Sequence, residues 1–198
     1  VTDVAIIDSG GANIASLRFA LGRLGAEATL TTDPVELREA RRVILPGVGA
    51  AGDAMQRLQS LGLVQVIRRL EQPVLGICLG MQLLFDSSDE GGTACLGIIP
   101  ARVRRFPDRD GLPVPHMGWN QLEFAGTHPL LHGIAPGEYV YFVHSYRADA
   151  GPWTVSTCDY GGPFSALVQH GNFCGAQFHP ERSGRVGARL LANFLELG

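Results

Sequence analysis

Through about the first half of the chain, short continuously apolar runs alternate with stretches whose apolar residues recur at helical spacing. Val4–Asp8 predicts a buried strand and Gly10-Gly11 the turn leaving it. Ile14, Leu17, Ala20, Leu21 and Leu24 predict one face of a helix, stopped by Gly25. Glu27–Thr31 predicts a second strand, Val35–Arg41 a short helix and Arg42–Leu45 a third strand. A helical region spans Ala51 to Leu70, broken near Gly62, before a fourth strand at Val74–Cys78 and helix over Gly80–Phe85. Strands that are apolar throughout and separated by helices belong to a parallel sheet covered on both faces. The expected fold is a doubly wound, flavodoxin-like α/β domain with right-handed crossovers.

After Gly91-Gly92 the pattern changes. Val103–Phe106, Trp119–Phe124, Tyr139–Tyr146, Thr154–Asp159, Phe164–Gln169 and Phe173–Phe178 are short, β-rich and punctuated by Gly or Pro. They predict antiparallel additions, some extending the first sheet. Ser183 is placed to cap a last helix whose inner face is Val186, Leu190, Leu191, Phe194 and Leu195. With no repeat or linker, residues 1–198 read as a single domain.

Composition narrows the function classes. A chain with 45% hydrophobic residues builds a core without metal or disulfide support. Sixteen basic against 19 acidic residues give a net charge of −3, dispersed apart from Arg102, Arg104 and Arg105, so nucleic acid is not an expected partner. That arginine cluster reads as a solvated strand face. Cys78, Cys95, Cys158 and Cys174 lie far apart, and His116, His128, His132, His144 and His170 show no ligand spacing, so neither a metal site nor a disulfide framework is expected. The start of the sequence lacks a signal-peptide pattern, and the most apolar segment, Val74 to Phe85, is too short to span a bilayer. The expectation is a cytoplasmic protein without membrane association or cofactor.

Candidate chemistry comes from three separated strings. In Val74-Leu-Gly-Ile-Cys78-Leu-Gly80-Met-Gln82 a strand runs into a helix, with glycines two residues either side of a cysteine. This is the cysteine counterpart of the nucleophile elbow, in which backbone passes too close to the nucleophile for a Cβ. Alone it also fits an inert, buried cysteine beside packing glycines. In Gln177-Phe178-His179-Pro180-Glu181, proline biases His179 toward extended backbone. His179 and Glu181 then share a side, and Glu181 can hold Nδ1 while Nε2 faces the cysteine as base. Alone this also fits a surface loop. Val43-Ile-Leu-Pro46-Gly47-Val48-Gly49 ends a strand in a loop whose amides, with that of Leu79, can form an oxyanion hole; an ordinary strand-to-helix turn is the alternative. All three strings fall at predicted strand C-termini, where open α/β sheets place their sites. Gly10-Gly11 lacks the further glycine and acid of a dinucleotide loop.

Gly-Ile-Cys-Leu-Gly-Met-Gln, the later His-Pro-Glu and the Pro-Gly-Val-Gly loop together resemble the triad-type glutamine amidotransferase family across essentially the whole chain. Asp8-Ser-Gly-Gly-Ala-Asn13, Pro115-His-Met-Gly-Trp-Asn120 and Tyr141-Phe-Val-His-Ser-Tyr146 narrow the resemblance to the branch serving imidazole glycerol phosphate formation in histidine biosynthesis. Ser9-Gly10-Gly11 departs from that branch's Thr-Gly-Cys form, outside the triad. The resemblance implies a glutaminase with Cys78, His179 and Glu181 as triad and a γ-glutamyl thioester intermediate. Gly47, Val48, Gly49 and Leu79 would surround the oxyanion, and Gln82, Ser145 and Tyr146 would bind glutamine. It implies a heterodimer with a (β/α)-barrel cyclase that receives the ammonia. Because Gly47–Gly49 can reorient cheaply, activity is expected to depend on that partner, and its docking face is expected to include Asn13, Trp119 and Arg182, which flank the site loops. Trp119 also fits a half-buried strand aromatic, and Arg182 a surface charge. Rival readings are a subunit serving another pathway, a γ-glutamyl hydrolase or cysteine peptidase on the same fold, and a non-catalytic binding module.

Overall fold

The computed structural model of the protein describes residues 3–10, 14–108 and 111–198. Gly11 and Asn13, both singled out in the first loop, lie outside these residues. In chain order the first elements are β1 (Val4–Ile7), α1 (Ile14–Arg23), β2 (Ala28–Thr31), α2 (Pro34–Glu39) and β3 (Arg42–Gly47). Next come α3 (Ala51–Ser60), α4 (Leu63–Arg68), β4 (Val74–Cys78), α5 (Leu79–Gln82), β5 (Phe85–Ser88), β6 (Thr93–Ala94) and β7 (Ile99–Arg105). The remainder is β8 (His116–Gln121), β9 (Tyr139–His144), β10 (Tyr146–Ala148), β11 (Thr154–Asp159), β12 (Pro163–His170), β13 (Phe173–Ala176) and α6 (Gly184–Glu196).

Seven strands form the main sheet in the order β11-β12-β13-β4-β3-β1-β2. From β13 to β2 every neighbour is parallel, whereas β12 pairs antiparallel with both β13 and β11. Alternate side chains of one strand serve opposite cores. Ala5 and Ile7 pack with Leu37, Leu58 and Ile67 of α2, α3 and α4. Val4 and Ile6 pack with Leu17 and Leu21 of α1 and with Leu190 and Phe194 of α6. Burial on both faces is why these strands read as uninterrupted apolar runs. Gly62 separates α3 from α4 in a left-handed conformation, φ 68°. Among the described residues no helix is long and apolar enough to cross a membrane.

Several predicted elements are corrected. Gly80–Phe85 is not one helix: α5 stops at Gln82, and the Leu84 carbonyl accepts from the amides of Ile98 and Ile99 at 2.9 Å each. Those bonds draw Phe85–Ser88 into β5. Because Leu79 through Phe85 are all buried, no polar face marks the change from helix to strand. Tyr139–Tyr146 is two strands broken at Ser145, β9 pairing with β8 and β10 with β7. The break lets the Ser145 carbonyl accept from the Phe106 amide at 3.0 Å. The strands expected at Trp119–Phe124 and Val103–Phe106 start earlier, at His116 and Ile99, and that of Phe173–Phe178 ends at Ala176. Ser183 stands at the N-cap of α6 without capping it. Its hydroxyl donates to the His179 carbonyl at 2.7 Å and accepts from the Tyr141 amide at 3.0 Å. The arginines of β7 each meet a carboxylate: Arg102 with Asp89, Arg104 with Asp149 and Arg105 with Asp108.

Candidate active site

Register places the site. In the parallel ladders Gly47 of β3 lies opposite Cys78 of β4, and Ala176 of β13 lies opposite Ile77. Three strands therefore end level, and the segments leaving them arrive at one rim: the Val48–Gly49 loop, the Cys78 turn, and Gln177 through Glu181.

Cys78 has φ 54° and ψ −111°, the one positive φ at a non-glycine position among the described residues. Such a conformation costs about 1–3 kcal/mol and persists only where its surroundings over-determine it. Here the surroundings are glycines. A Cβ on Gly80 would fall 1.8 Å from the Leu45 oxygen, one on Gly76 2.6 Å from the Gly80 oxygen, and one on Gly47 2.6 Å from the Gly80 nitrogen. Three bare backbone positions thus interlock behind the cysteine and hold its turn.

His179 is extended, φ −97° and ψ 99°, followed by a tight turn over Pro180–Arg182. Its amide donates to the Tyr141 carbonyl at 3.0 Å, and α6 presses against the turn from behind. A Cβ on Gly187 would lie 1.9 Å from the Pro180 oxygen, so that glycine lets the helix approach. His179 Nδ1 meets Glu181 Oε1 at 2.9 Å with both side chains buried. Nε2 is buried without a hydrogen-bond partner, at the cavity that Cys78 also lines. Burial pushes this imidazole down, but the neighbouring Cys78 and the Glu181 carboxylate bonded to Nδ1 outweigh it and hold it up at about 10. A histidine so raised favours the folded state fully below roughly pH 6.5 and loses that contribution as pH climbs through about 10. His179 ring signals are accordingly expected to titrate far above neutrality in NMR spectra, and lower in Glu181→Gln. An imidazole titrating near pH 6.5 in the parent chain would show that the cluster lacks this coupling.

A cavity of ≈ 380 Å³ opens over the cysteine, a suitable size for a small ligand, and is lined by Val48, Gly49, Cys78, Leu79, Gln82, Ser145, Tyr146 and His179. Of the residues expected at the site, Gly47 and Glu181 are not in its wall: Gly47 packs behind the elbow, and Glu181 reaches the cavity only through His179 Nδ1. Arg182, expected at a docking surface, is exposed at the rim of this same cavity. Trp119 lies outside it, 55% exposed on the β8–β9 ribbon and edge-on to Tyr141.

Two polar residues of the site escaped the sequence reading. Glu90 lines the cavity and accepts from the Ala51 amide at 2.8 Å, bracing the end of the Val48–Gly49 loop against α3. An acid just before Gly91-Gly92 resembles any turn residue, so only its place in the fold reveals it. Gln177 is fully buried; its Oε1 accepts from Gln82 Nε2 at 2.9 Å and its Nε2 lies 3.9 Å from the Cys78 sulfur. A buried glutamine at the end of an apolar strand was the available signal. Among the described residues no cluster of ligating side chains suited to a metal is present.

The site can therefore present a sulfur nucleophile, a proton carrier and its carboxylate partner to a molecule the size of an amino acid. The family model Glutamine amidotransferase class-I matches residues 5–197. The chain is 55% identical over 197 residues to the imidazole glycerol phosphate synthase subunit HisH of Xanthomonas axonopodis pv. citri, covering 100% of this chain and 98% of that protein. It is 54% identical to the HisH subunit of Xylella fastidiosa, with the same coverage. A crystal structure of a glutamine amidotransferase shares the fold with a TM-score of 0.75 at 22% identity, covering 98% of this chain and 97% of that one. The chain belongs to the class-I glutamine amidotransferase family, in its group of imidazole glycerol phosphate synthase HisH subunits.

Proposed function

We propose that the chain hydrolyses glutamine to glutamate and ammonia, with Cys78 as nucleophile, His179 as proton carrier and Glu181 as its orienter. The observation that carries this reading is the strained Cys78 turn sharing one cavity with a His179 whose Nδ1 is committed to Glu181. In the first half-reaction the Cys78 thiolate attacks the side-chain amide carbon of glutamine. The carbonyl oxygen gathers negative charge against the Leu79 amide and the Val48–Gly49 loop. A preorganised donor of this kind lowers such a barrier by about 3–4 kcal/mol. The His179 imidazolium gives its Nε2 proton to the departing nitrogen, the C–N bond breaks, and ammonia and a γ-glutamyl thioester remain. Next Nε2, now neutral, takes a proton from water as the hydroxide attacks the thioester carbon. The C–S bond breaks, glutamate leaves, and thiolate and imidazolium are restored.

The amino-acid end of glutamine has its complement in Gln82, Glu90 and the Ser145–Tyr146 backbone. Both hydrogens of Gln82 Nε2 are committed, to the Tyr146 carbonyl and to Gln177 Oε1 at 2.9 Å each. Oε1 is left as an acceptor in the cavity wall, and the Glu90 carboxylate suits an ammonium group. Removal of the glutamine side-chain nitrogen in cell-free assay, with glutamate as the matching product, tests the reading. Cleavage of γ-glutamyl peptides in preference to free glutamine would replace it.

Ammonia passes in this proposal to a (β/α)-barrel cyclase subunit forming a heterodimer with the chain in the cytoplasm. The docking face is the outer side of the β8–β9 ribbon beside the cavity, where Met117 (64% exposed), Trp119 and Tyr139 project together from paired strands, with Arg182 nearby. Exposed aromatics and arginine are what interface anchors are made of. Trp119→Ala is expected to weaken cyclase binding by about 2 kcal/mol, roughly thirtyfold, in calorimetric titration. Unchanged affinity would move the interface elsewhere.

A further inference from the structure

Beneath that ribbon, on its inner side, two histidines lie in a buried aromatic nest. His116 is stacked on Tyr160 at 3.9 Å and on Phe142 at 4.9 Å, and His144 stands edge-on to Phe106 at 5.1 Å. Their rings touch: His116 Nδ1 is 3.0 Å from His144 Nε2. The glutaminase chemistry above uses neither ring.

The direction of every hydrogen in this pair is forced. His144 Nδ1 lies 2.7 Å from the Tyr146 carbonyl, which only accepts, so Nδ1 carries the hydrogen. At the other end the Asn120 amide is fixed by two backbone groups: Oδ1 accepts from the Gln121 amide at 2.8 Å and Nδ2 donates to the Asp159 carbonyl at 2.9 Å. The second hydrogen of Nδ2 then points to His116 Nε2 at 3.3 Å, which must accept it. Between neutral rings a single arrangement satisfies both ends: His116 Nδ1–H donates to His144 Nε2. Burial keeps both rings neutral, pushing His116 down to about 4 and His144 to about 3, with Arg147 and His179 the nearby cations that further oppose charging of His144.

The chain of bonds does not stop at Tyr146. That carbonyl also accepts from Gln82 Nε2, whose other hydrogen goes to Gln177, whose own amide reaches the Cys78 sulfur. Its two lone pairs are thereby taken, one by the histidine pair and one by the side chain that offers its oxygen to the cavity.

We propose that His116 and His144 form a positioning relay for glutamine binding: locked head to tail as Nδ1–H tautomers between Asn120 and the Tyr146 carbonyl, they hold the backbone oxygen that orients Gln82. Because Asn120 and His116 belong to β8, the relay ties the placement of the proposed docking ribbon to the glutamine-binding acceptor. The inference rests on the glutaminase reading for its consequence, but not for its hydrogen-bond polarity.

Two measurements test it separately. In long-range 1H–15N spectra of the full chain at neutral pH, both rings should be neutral with hydrogen on Nδ1; an Nε2–H or cationic form of either overturns the relay, whatever the enzyme does. Asn120→Asp removes the donor and offers only acceptors to His116. The pair must then reverse, which sets an unprotonated His144 Nδ1 against the Tyr146 oxygen, or bind an extra proton. Expected are an imidazolium signal in that variant and a KM for glutamine raised about tenfold, the loss of one hydrogen bond, with kcat within about twofold when the cyclase is present. Asn120→Ala, which deletes the donor without reversing the pair, should raise KM less and show no such signal. An unchanged KM in Asn120→Asp, or an equal fall in kcat and kcat/KM, refutes the positioning role. Lack of glutamine hydrolysis by the parent chain would instead count against the glutaminase reading, and the spectra would still judge the relay.

Discussion

Cys78→Ala is expected to lower glutamate release by at least about four orders of magnitude, because no other group in the cavity can form the thioester. The unfolding free energy should stay within about 1 kcal/mol of the parent. Losing one buried sulfur is a modest change, and the strained backbone is held by glycines rather than by the thiol. Chemical denaturation and a coupled glutamate assay on the same preparation read both quantities. Residual turnover within tenfold of the parent would remove Cys78 from the chemistry. A collapse in stability of several kcal/mol would mean that the sulfur, not the interlocked backbone, holds the turn.

Gly80→Ala is expected to be the most damaging methyl that can be added to this protein. The new Cβ would stand 1.8 Å from the Leu45 oxygen and 2.8 Å from its carbonyl carbon, both backbone atoms in the middle of the sheet. No side chain can swing aside, so β3 or the elbow must move. Overpacking typically costs about 1–3 kcal/mol where neighbours adjust, and this site lies at or beyond the upper end. Gly22→Ala is the internal control. It sits in α1 with nothing within 4 Å of its new Cβ, and should stabilise the chain by roughly 0.5–1 kcal/mol through helix propensity. Similar melting shifts for the two variants would mean that the interlock behind Cys78 is not tight.

The parallel half of the fold was readable because each strand is buried on both faces and each crossover helix carries its own apolar stripe. Val74–Cys78 comes out with the same bounds in sequence and structure. The convergence of Cys78, His179 and Glu181 was equally accessible, since each lies at a strand end and strand ends share a rim. The features that stayed hidden depend on partners remote in sequence. Nothing local shows that the Leu84 carbonyl will be claimed by Ile98 and Ile99, or that a break at Ser145 will send β9 and β10 into different sheets. Gly187 reads as an ordinary helix glycine until Pro180 is found against it. Metal-ligand spacing, which His116 and His144 lack, says nothing about whether two rings hydrogen-bond each other.

The pairing of Gly47 with Cys78 has one more consequence. Position 47 is fastened in the ladder and wedged against Gly80, so any swing of the loop must pivot beyond it, at Val48 and Gly49, where φ is 90° at a glycine with open space around it. The hinge therefore begins one residue downstream of a fixed post. In the proposed mechanism, a regulator pushing on that flap would change what stabilises negative charge on the substrate while the attacking atom stays where it is, so readiness to bond and permission to turn over would be separable properties of one loop and one turn.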